Sequence, residues 1–285
     1  MLCSMPGYFV HNGQLFREGK AVISPDNRSF RYGDGLFETI RIINGNILLK
    51  ELHFERLLRG MKLLQFDIPE FFTAAQLEED IISLCKKNRI EKAAVIRLVV
   101  FRSDGGIYDL EDMRPNYIIQ GMALQRYPVV PDDNGGLIVD VYPDASKACN
   151  IFSEVKSNNF LLYVMGAMYA RQKGLGDCFI LNQYGRIADA TVANVFWIKN
   201  EQIHTPPLSE GGIAGVTRKF LLQKLPGAGY TVNEKALKVD DILSADEIFL
   251  TNAVRGIRIV GKFRDQSYSS TITKEVRRLL MDEWT

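Results

Sequence analysis

Short apolar runs bounded by turn residues alternate, over the first half of the chain, with stretches in which apolar residues recur every three or four positions. Tyr8–Val10 and Thr39–Ile42 have the β-branched and aromatic content of strands. Ile43-Asn44-Gly45-Asn46-Ile47 has the turn chemistry of a hairpin between two strands. From Glu51 to Leu64, the residues Phe54, Leu57, Leu58, Met61 and Leu64 form one apolar stripe and predict an amphipathic helix. His53, Arg56 and Gly60 fall on a different stripe, which lets Arg56 leave the core face and reach an anion. Thr73 and Gln76 predict a capping box on a second helix that buries Leu77, Ile81, Leu84 and Cys85. Strands are predicted over Ala93–Phe101 and Tyr117–Gln125, with a glycine-containing turn, Arg102–Gly106, between them.

Residues 126–136 concentrate proline and glycine and read as a linker, dividing an N-terminal small α/β domain (1–125) from a C-terminal large domain (137–285). In the second part, Asn159–Lys173 predicts a helix ending at Gly174, and strands follow over Cys178–Asn182, Arg186–Asp189, Val195–Lys199 and Gln202–Thr205. A helix is predicted to start at Val216 or Thr217, then strands over Glu247–Thr251 and Ile257–Val260, then an amphipathic helix over Thr271–Met281. Many neighbouring strands have no helix between them, so the pattern predicts two mixed α/β domains rather than one long parallel crossover sheet.

Composition narrows the class. With 285 residues, 46% hydrophobic and 24% charged, the chain can bury a large core and is not a disordered polypeptide. A formal net charge of +1 and no long Lys/Arg run argue against nucleic acid as the main partner. Cys3, Cys85, Cys149 and Cys178 are far apart without a CxxC pair, which predicts reduced thiols rather than disulfides or zinc ligation. His11, His53 and His204 are too scattered for a His-rich metal centre, and no metal is expected. The first residues carry no basic leader followed by an apolar core, and no apolar run approaches membrane-spanning length, so the expected location is cytoplasmic.

Two local features carry chemistry. Lys156, in Glu154-Val155-Lys156-Ser157-Asn158-Asn159, sits where a strand gives way to a helix, a junction that can hold an amine in a domain crevice; a surface lysine is the ordinary alternative. Carbonyl chemistry requires the amine to spend time unprotonated, which burial or a nearby cation promotes. Gly211–Arg218 places glycines before a helix start at Val216, where unpaired N–H groups and the helix dipole suit a phosphate. A plain glycine turn with ordinary capping has the same sequence. Neither a Walker loop nor a GxGxxG fingerprint is present.

Asp189-Ala190-Thr191-Val192-Ala193-Asn194-Val195-Phe196, Ile203-His204-Thr205 and Ile213–Arg218 resemble the long signature of the class-IV aminotransferases, the fold-type IV pyridoxal 5'-phosphate enzymes. Arg31–Thr39 resembles the YGDG-type entry motif of that family, His53–Leu57 its H-x-x-R-L helix, Glu154–Ser157 its cofactor-lysine segment and Ala245–Asn252 its late strand and phosphate-side turn. The resemblance implies a D-amino acid aminotransferase-like fold, a homodimer, and pyridoxal phosphate held as a Schiff base on Lys156. It implies that Asp189 faces the pyridine nitrogen where the family usually has glutamate, and that Arg56, Val216, Thr217, Thr251 and Asn252 bind the phosphate. Asp189 has a plainer reading as a surface-turn acid. Tyr32, Phe37, Arg102 and Tyr108 are the implied substrate-side residues; Phe37 also reads as core and Arg102 as a solvated loop arginine. Met165 and Met168 read as core. Glu38 resembles the aminotransferase branches, which makes transfer of an amino group from an amino acid to a 2-oxo acid the first reading. The alternative is an aminodeoxychorismate lyase releasing pyruvate and 4-aminobenzoate, because Asn194–Trp197, Thr205–Leu208 and Thr251–Ala253 resemble that branch. Ile107 and Asp109 match neither the carboxylate trap of D-amino acid enzymes nor, at Ile107, the arginine common in the lyases.

Overall fold

The computed structural model describes residues 7–108, 112–124 and 135–284. The chain forms two compact units, Met1–Val129 with Lys156–Asn159, and Val130–Val155 with Phe160–Thr285. The predicted linker, 126–136, lies outside the described residues except for Gly135 and Gly136.

Among the described residues, the first unit holds strands β1 (Tyr8–His11), β2 (Gln14–Arg17), β3 (Gly35–Ile43), β4 (Asn46–Ile47), β5 (Ala93–Phe101) and β6 (Asn116–Ala123), with helices α1 (Arg28–Tyr32), α2 (Lys50–Leu63) and α3 (Ala74–Asn88). The strands make one antiparallel sheet in the order β2-β1-β6-β5-β3-β4. Leu57 and Met61 of α2 and Leu77, Ile81 and Leu84 of α3 are buried, as are Ile40, Ile42, Ile96 and Leu98 of the sheet. Thr73 caps α3 by accepting from the Gln76 amide; the Gln76 side chain turns to Asp80 instead of closing the expected box. The second stripe of α2 is also buried at His53 and Gly60.

Lys156–Asn159 joins this first unit, not the C-terminal one to which the sequence assigned Lys156. The reason is backbone pairing: the Phe37 amide donates to the Lys156 carbonyl (2.9 Å), Ser157 bridges Leu36, and the Asn158 amide donates to Gly35 (2.9 Å). A side chain at 35 would meet the Val100 carbonyl at 2.5 Å and the Asn158 amide nitrogen at 2.6 Å, so only glycine permits the approach.

Among its described residues, the second unit comprises β7 (Leu137–Val141), α4 (Leu161–Gln172), β8 (Asp177–Leu181), β9 (Ile187–Ala190), β10 (Asn194–Lys199), β11 (Gln202–Thr205), α5 (Val216–Lys224), β12 (Val232–Glu234), α6 (Val239–Ser244), β13 (Glu247–Asn252), β14 (Gly256–Phe263), β15 (Gln266–Ser267) and α7 (Thr271–Asp282). Its mixed sheet runs β12-β11-β10-β13-β14-β7-β8-β9, with β15 on β14. Phe179, Val195, Ile248, Leu250, Val260 and Phe263 form its core. Met165 and Met168 are 42% and 49% exposed, so they are not core residues: with Leu161 and Val164 they line the outer face of α4. Cys85 on α3 and Cys178 on β8 are buried free thiols, each pushed up to about 12, chiefly by burial. Among the described residues no helix is long and apolar enough to cross a membrane.

Candidate active site

In the second unit, β9 carries Asp189 into the interior, where it is 2% exposed. Its Oδ2 accepts hydrogen bonds from the Tyr163 hydroxyl (2.8 Å) and the Ile213 amide (3.0 Å), and the Lys147 ammonium lies 3.5 Å away. Lys147 also donates to the Tyr163 hydroxyl. Burial raises the Asp189 pKa, opposed by Lys147 and the hydrogen bonds; burial lowers that of Lys147, opposed by Asp189. Asp189 Oδ1 is buried and has no protein partner. The surface-turn reading of this residue is therefore overturned.

The first turn of α5 begins at Gly215, which supplies no side-chain cap, so the leading N–H groups keep their capacity for an anion. Thr217 in that turn and Thr251 on β13 are 1% and 2% exposed, and both hydroxyls are buried without a partner. Buried polar atoms are nearly always satisfied. Among the buried polar atoms without a partner in this unit, the Asp189 carboxylate oxygen and the Thr217 and Thr251 hydroxyls suit a group bearing a basic ring nitrogen and a phosphate. The Asn252 side chain is instead consumed locally: it donates to Val192 and accepts from the amides of Val254 and Arg255. Any phosphate contact from Asn252 falls to its backbone.

In the first unit, the Lys156 ammonium stands 4.3 Å from the centre of the Phe37 ring, and the Arg97 guanidinium is 4.1 Å from the same ring. Phe37 is 4% exposed, so it is core packing and a wall beside the lysine at once. Arg56, expected to reach an anion, has one within the protein: its Nε and Nη2 donate to Glu38 at 2.7 and 2.5 Å. His53 Nδ1 lies 2.7 Å from the same carboxylate. Burial raises the Glu38 pKa, but Arg56 and His53 outweigh it and bring the group to about 2. Glu38 was read only as a branch marker; its position inside the apolar run of β3 was the signal, since a carboxylate there demands partners.

Arg102 is not a solvated loop arginine and does not present its charge for a substrate. It is 5% exposed, bonded to Asp34 and the Leu64 carbonyl, and lies 4.1 Å over the Phe66 ring. Asp34 also pairs with Arg28 (2.8 Å), so the YGDG turn is tied by two arginines. Tyr32 is 39% exposed beneath Arg28 and Arg31, and Tyr108 is 94% exposed. Arg97, Lys147 and Tyr163 were not singled out in the sequence. Nothing local marks them, because each acquires its neighbours through tertiary folding.

The two sheets and their strand orders make a mixed α/β structure of fold-type IV architecture. Residues 35–263 match the family model described as amino-transferase class IV, and the chain belongs to that family. It is 30% identical to the aminodeoxychorismate lyase of Bacillus subtilis (strain 168), over 91% of this chain and 87% of that protein. It is 26% identical to the D-alanine aminotransferase of Bacillus licheniformis, over 96% and 95%. Among solved structures, the branched-chain aminotransferase of the thermophilic archaeon Thermoproteus uzoniensis, crystallised with norvaline, superposes with a TM-score of 0.85 at 24% identity, covering 96% of this chain and 93% of that one.

Proposed function

We propose that the protein is a pyridoxal-phosphate-dependent aminotransferase that moves an amino group from an amino acid to a 2-oxo acid through Lys156. The observation that carries this reading is the set of unsatisfied buried atoms, Asp189 Oδ1 and the hydroxyls of Thr217 and Thr251. When bound, pyridoxal phosphate would supply an aldehyde to amines and a ring that accepts electron density from the carbon losing its proton. Lys156 would hold the aldehyde carbon and, when displaced by substrate, carry the proton from the substrate α carbon. Asp189 would meet the ring nitrogen. The N–H groups of Val216 and Thr217, the two threonine hydroxyls, the Asn252 backbone and Arg56 would hold the phosphate, and Glu38 would fix the guanidinium of Arg56. With Arg102 committed to Asp34, Arg97 takes the role of receiving a substrate carboxylate, and Phe37 that of an apolar wall. Tyr32 and Tyr108 remain substrate-side residues in this reading. The exposed apolar face of α4 supports a homodimer.

Reconstitution tests the reading. The purified protein should take up pyridoxal phosphate, become reducible by borohydride at Lys156, and lose that adduct in Lys156→Ala. An amino acid of one hand or the other should then give keto acid beyond one equivalent of enzyme only when a 2-oxo acceptor is present. Failure to form the lysine adduct would sink it. The 30% identity to a lyase favours a second reading, aminodeoxychorismate cleavage to pyruvate and 4-aminobenzoate. Those two products, formed without any amino acceptor, would replace the first reading with the second.

A further inference from the structure

Asp189 is surrounded by more than its expected role requires. A carboxylate meeting a ring nitrogen needs one free oxygen, yet the other oxygen here sits at the end of a buried relay. Lys147 donates to the Tyr163 hydroxyl, and Tyr163 donates to Asp189 Oδ2 at 2.8 Å. The relay is built, not incidental. Lys147 is held by its own amide donating to Leu181 (2.8 Å) and its carbonyl accepting from Gln183 (2.9 Å). Tyr163, on α4, is 6% exposed and stacks on Phe160 at 4.4 Å. The Lys147 side chain is only 12% exposed, and a lysine is rarely placed so deep without a partner.

The position of the charge decides what it does. Every donor, Lys147 included, lies on the Oδ2 side, while Oδ1 has no partner. A cation behind a carboxylate favours the negative charge staying on that carboxylate. A proton shared between Oδ1 and a base in front is therefore pushed onto the base. Burial pushes the Asp189 pKa up, and among the groups that oppose it the charge of Lys147 acts most strongly, ahead of the Ile213 and Tyr163 hydrogen bonds.

We infer that Lys147 is a second functional lysine of this chain: with Tyr163 it is a positioning residue that keeps Asp189 ionised and aimed, so that the ring nitrogen facing Oδ1 carries the proton. The inference rests on the proposed use of pyridoxal phosphate. It explains how aspartate, one methylene shorter than the glutamate usual in the resembling family, can be held firmly in that place.

The test uses enzyme loaded with pyridoxal phosphate isotope-labelled at its ring nitrogen and read by NMR, which reports ring protonation without turnover. The wild-type protein should show a protonated ring. Lys147→Met should shift the resonance toward the unprotonated form while the borohydride-reducible adduct on Lys156 persists, and Lys147→Arg should restore it. Amino-acid deamination by Lys147→Met should fall by roughly tenfold, the rate equivalent of one pKa unit. Tyr163→Phe should shift the resonance in the same direction, which guards against a Lys147→Met protein that fails to fold. An unchanged resonance in loaded Lys147→Met or Tyr163→Phe overturns the inference alone; absence of the adduct from wild-type protein overturns the proposed function beneath it.

Discussion

Single side chains decide most of the chemistry here, because each is placed where its charge has no cheap alternative. Glu38 illustrates the cost. Its carboxyl is held near 2 in the folded protein against an ordinary 4.5, so it stabilises the fold fully above pH 4.5. That contribution disappears as pH falls from 4.5 toward 2. Glu38→Gln should cost about 3 kcal/mol at neutral pH and flatten the stability profile through this acid window, as measured by urea unfolding at a series of pH values. At Asp189, the Asn replacement keeps the shape and removes the charge; turnover should fall by about a hundredfold with the cofactor still bound. A wild-type rate in Asp189→Asn would take this residue out of the mechanism. Arg97→Ala should raise the KM for the amino acid by about tenfold or more while kcat changes less, as steady-state kinetics would reveal.

Elements set where those side chains can go, and α5 is the sharpest case. At the residue that caps its N-terminus, Gly215, the Asn194 Oδ1 atom crowds the place where a Cβ would stand, and Asn194 is itself bonded to the Ile213 carbonyl at 2.7 Å. Gly215→Ala should therefore displace the first turn and weaken pyridoxal phosphate binding by about tenfold, with secondary structure retained in circular dichroism. The start of this helix, read from the glycines as Val216 or Thr217, falls at Val216, and β5 and β11 were legible because their runs have clear ends. Short elements were not: α6, with six residues, is too short for a helical period to declare itself. Residues of the proposed site could be picked out of the sequence only where a motif lies within one segment. Lys156, Asp189 and Thr217 could be named, whereas Lys147, Tyr163 and Asp189 come from a loop, a helix and a strand. Their bonds span 16 and 26 residues, a relation no local pattern encodes. Arg102 misled for a related reason: its loop is polar, but Asp34 and Leu64 come from elsewhere to bury it.

At the scale of the whole molecule, the face of α4 formed by Leu161, Val164, Met165 and Met168 should be covered in solution by a second copy. Met168→Glu should weaken self-association by roughly a hundredfold, a change that sedimentation would detect as monomer. Unaltered association would place the contact on another surface. The two compact units also differ in a way that chemistry can address. Among the described residues each contains one sealed thiol, Cys85 in the first and Cys178 in the second. With Cys3 and Cys149 replaced by serine, an alkylating reagent can reach either sulfur only when its surroundings open. Mass spectrometry of the two alkylated peptides would thus time the opening of each half separately, turning a pair of silent cysteines into clocks for independent breathing or for melting as one.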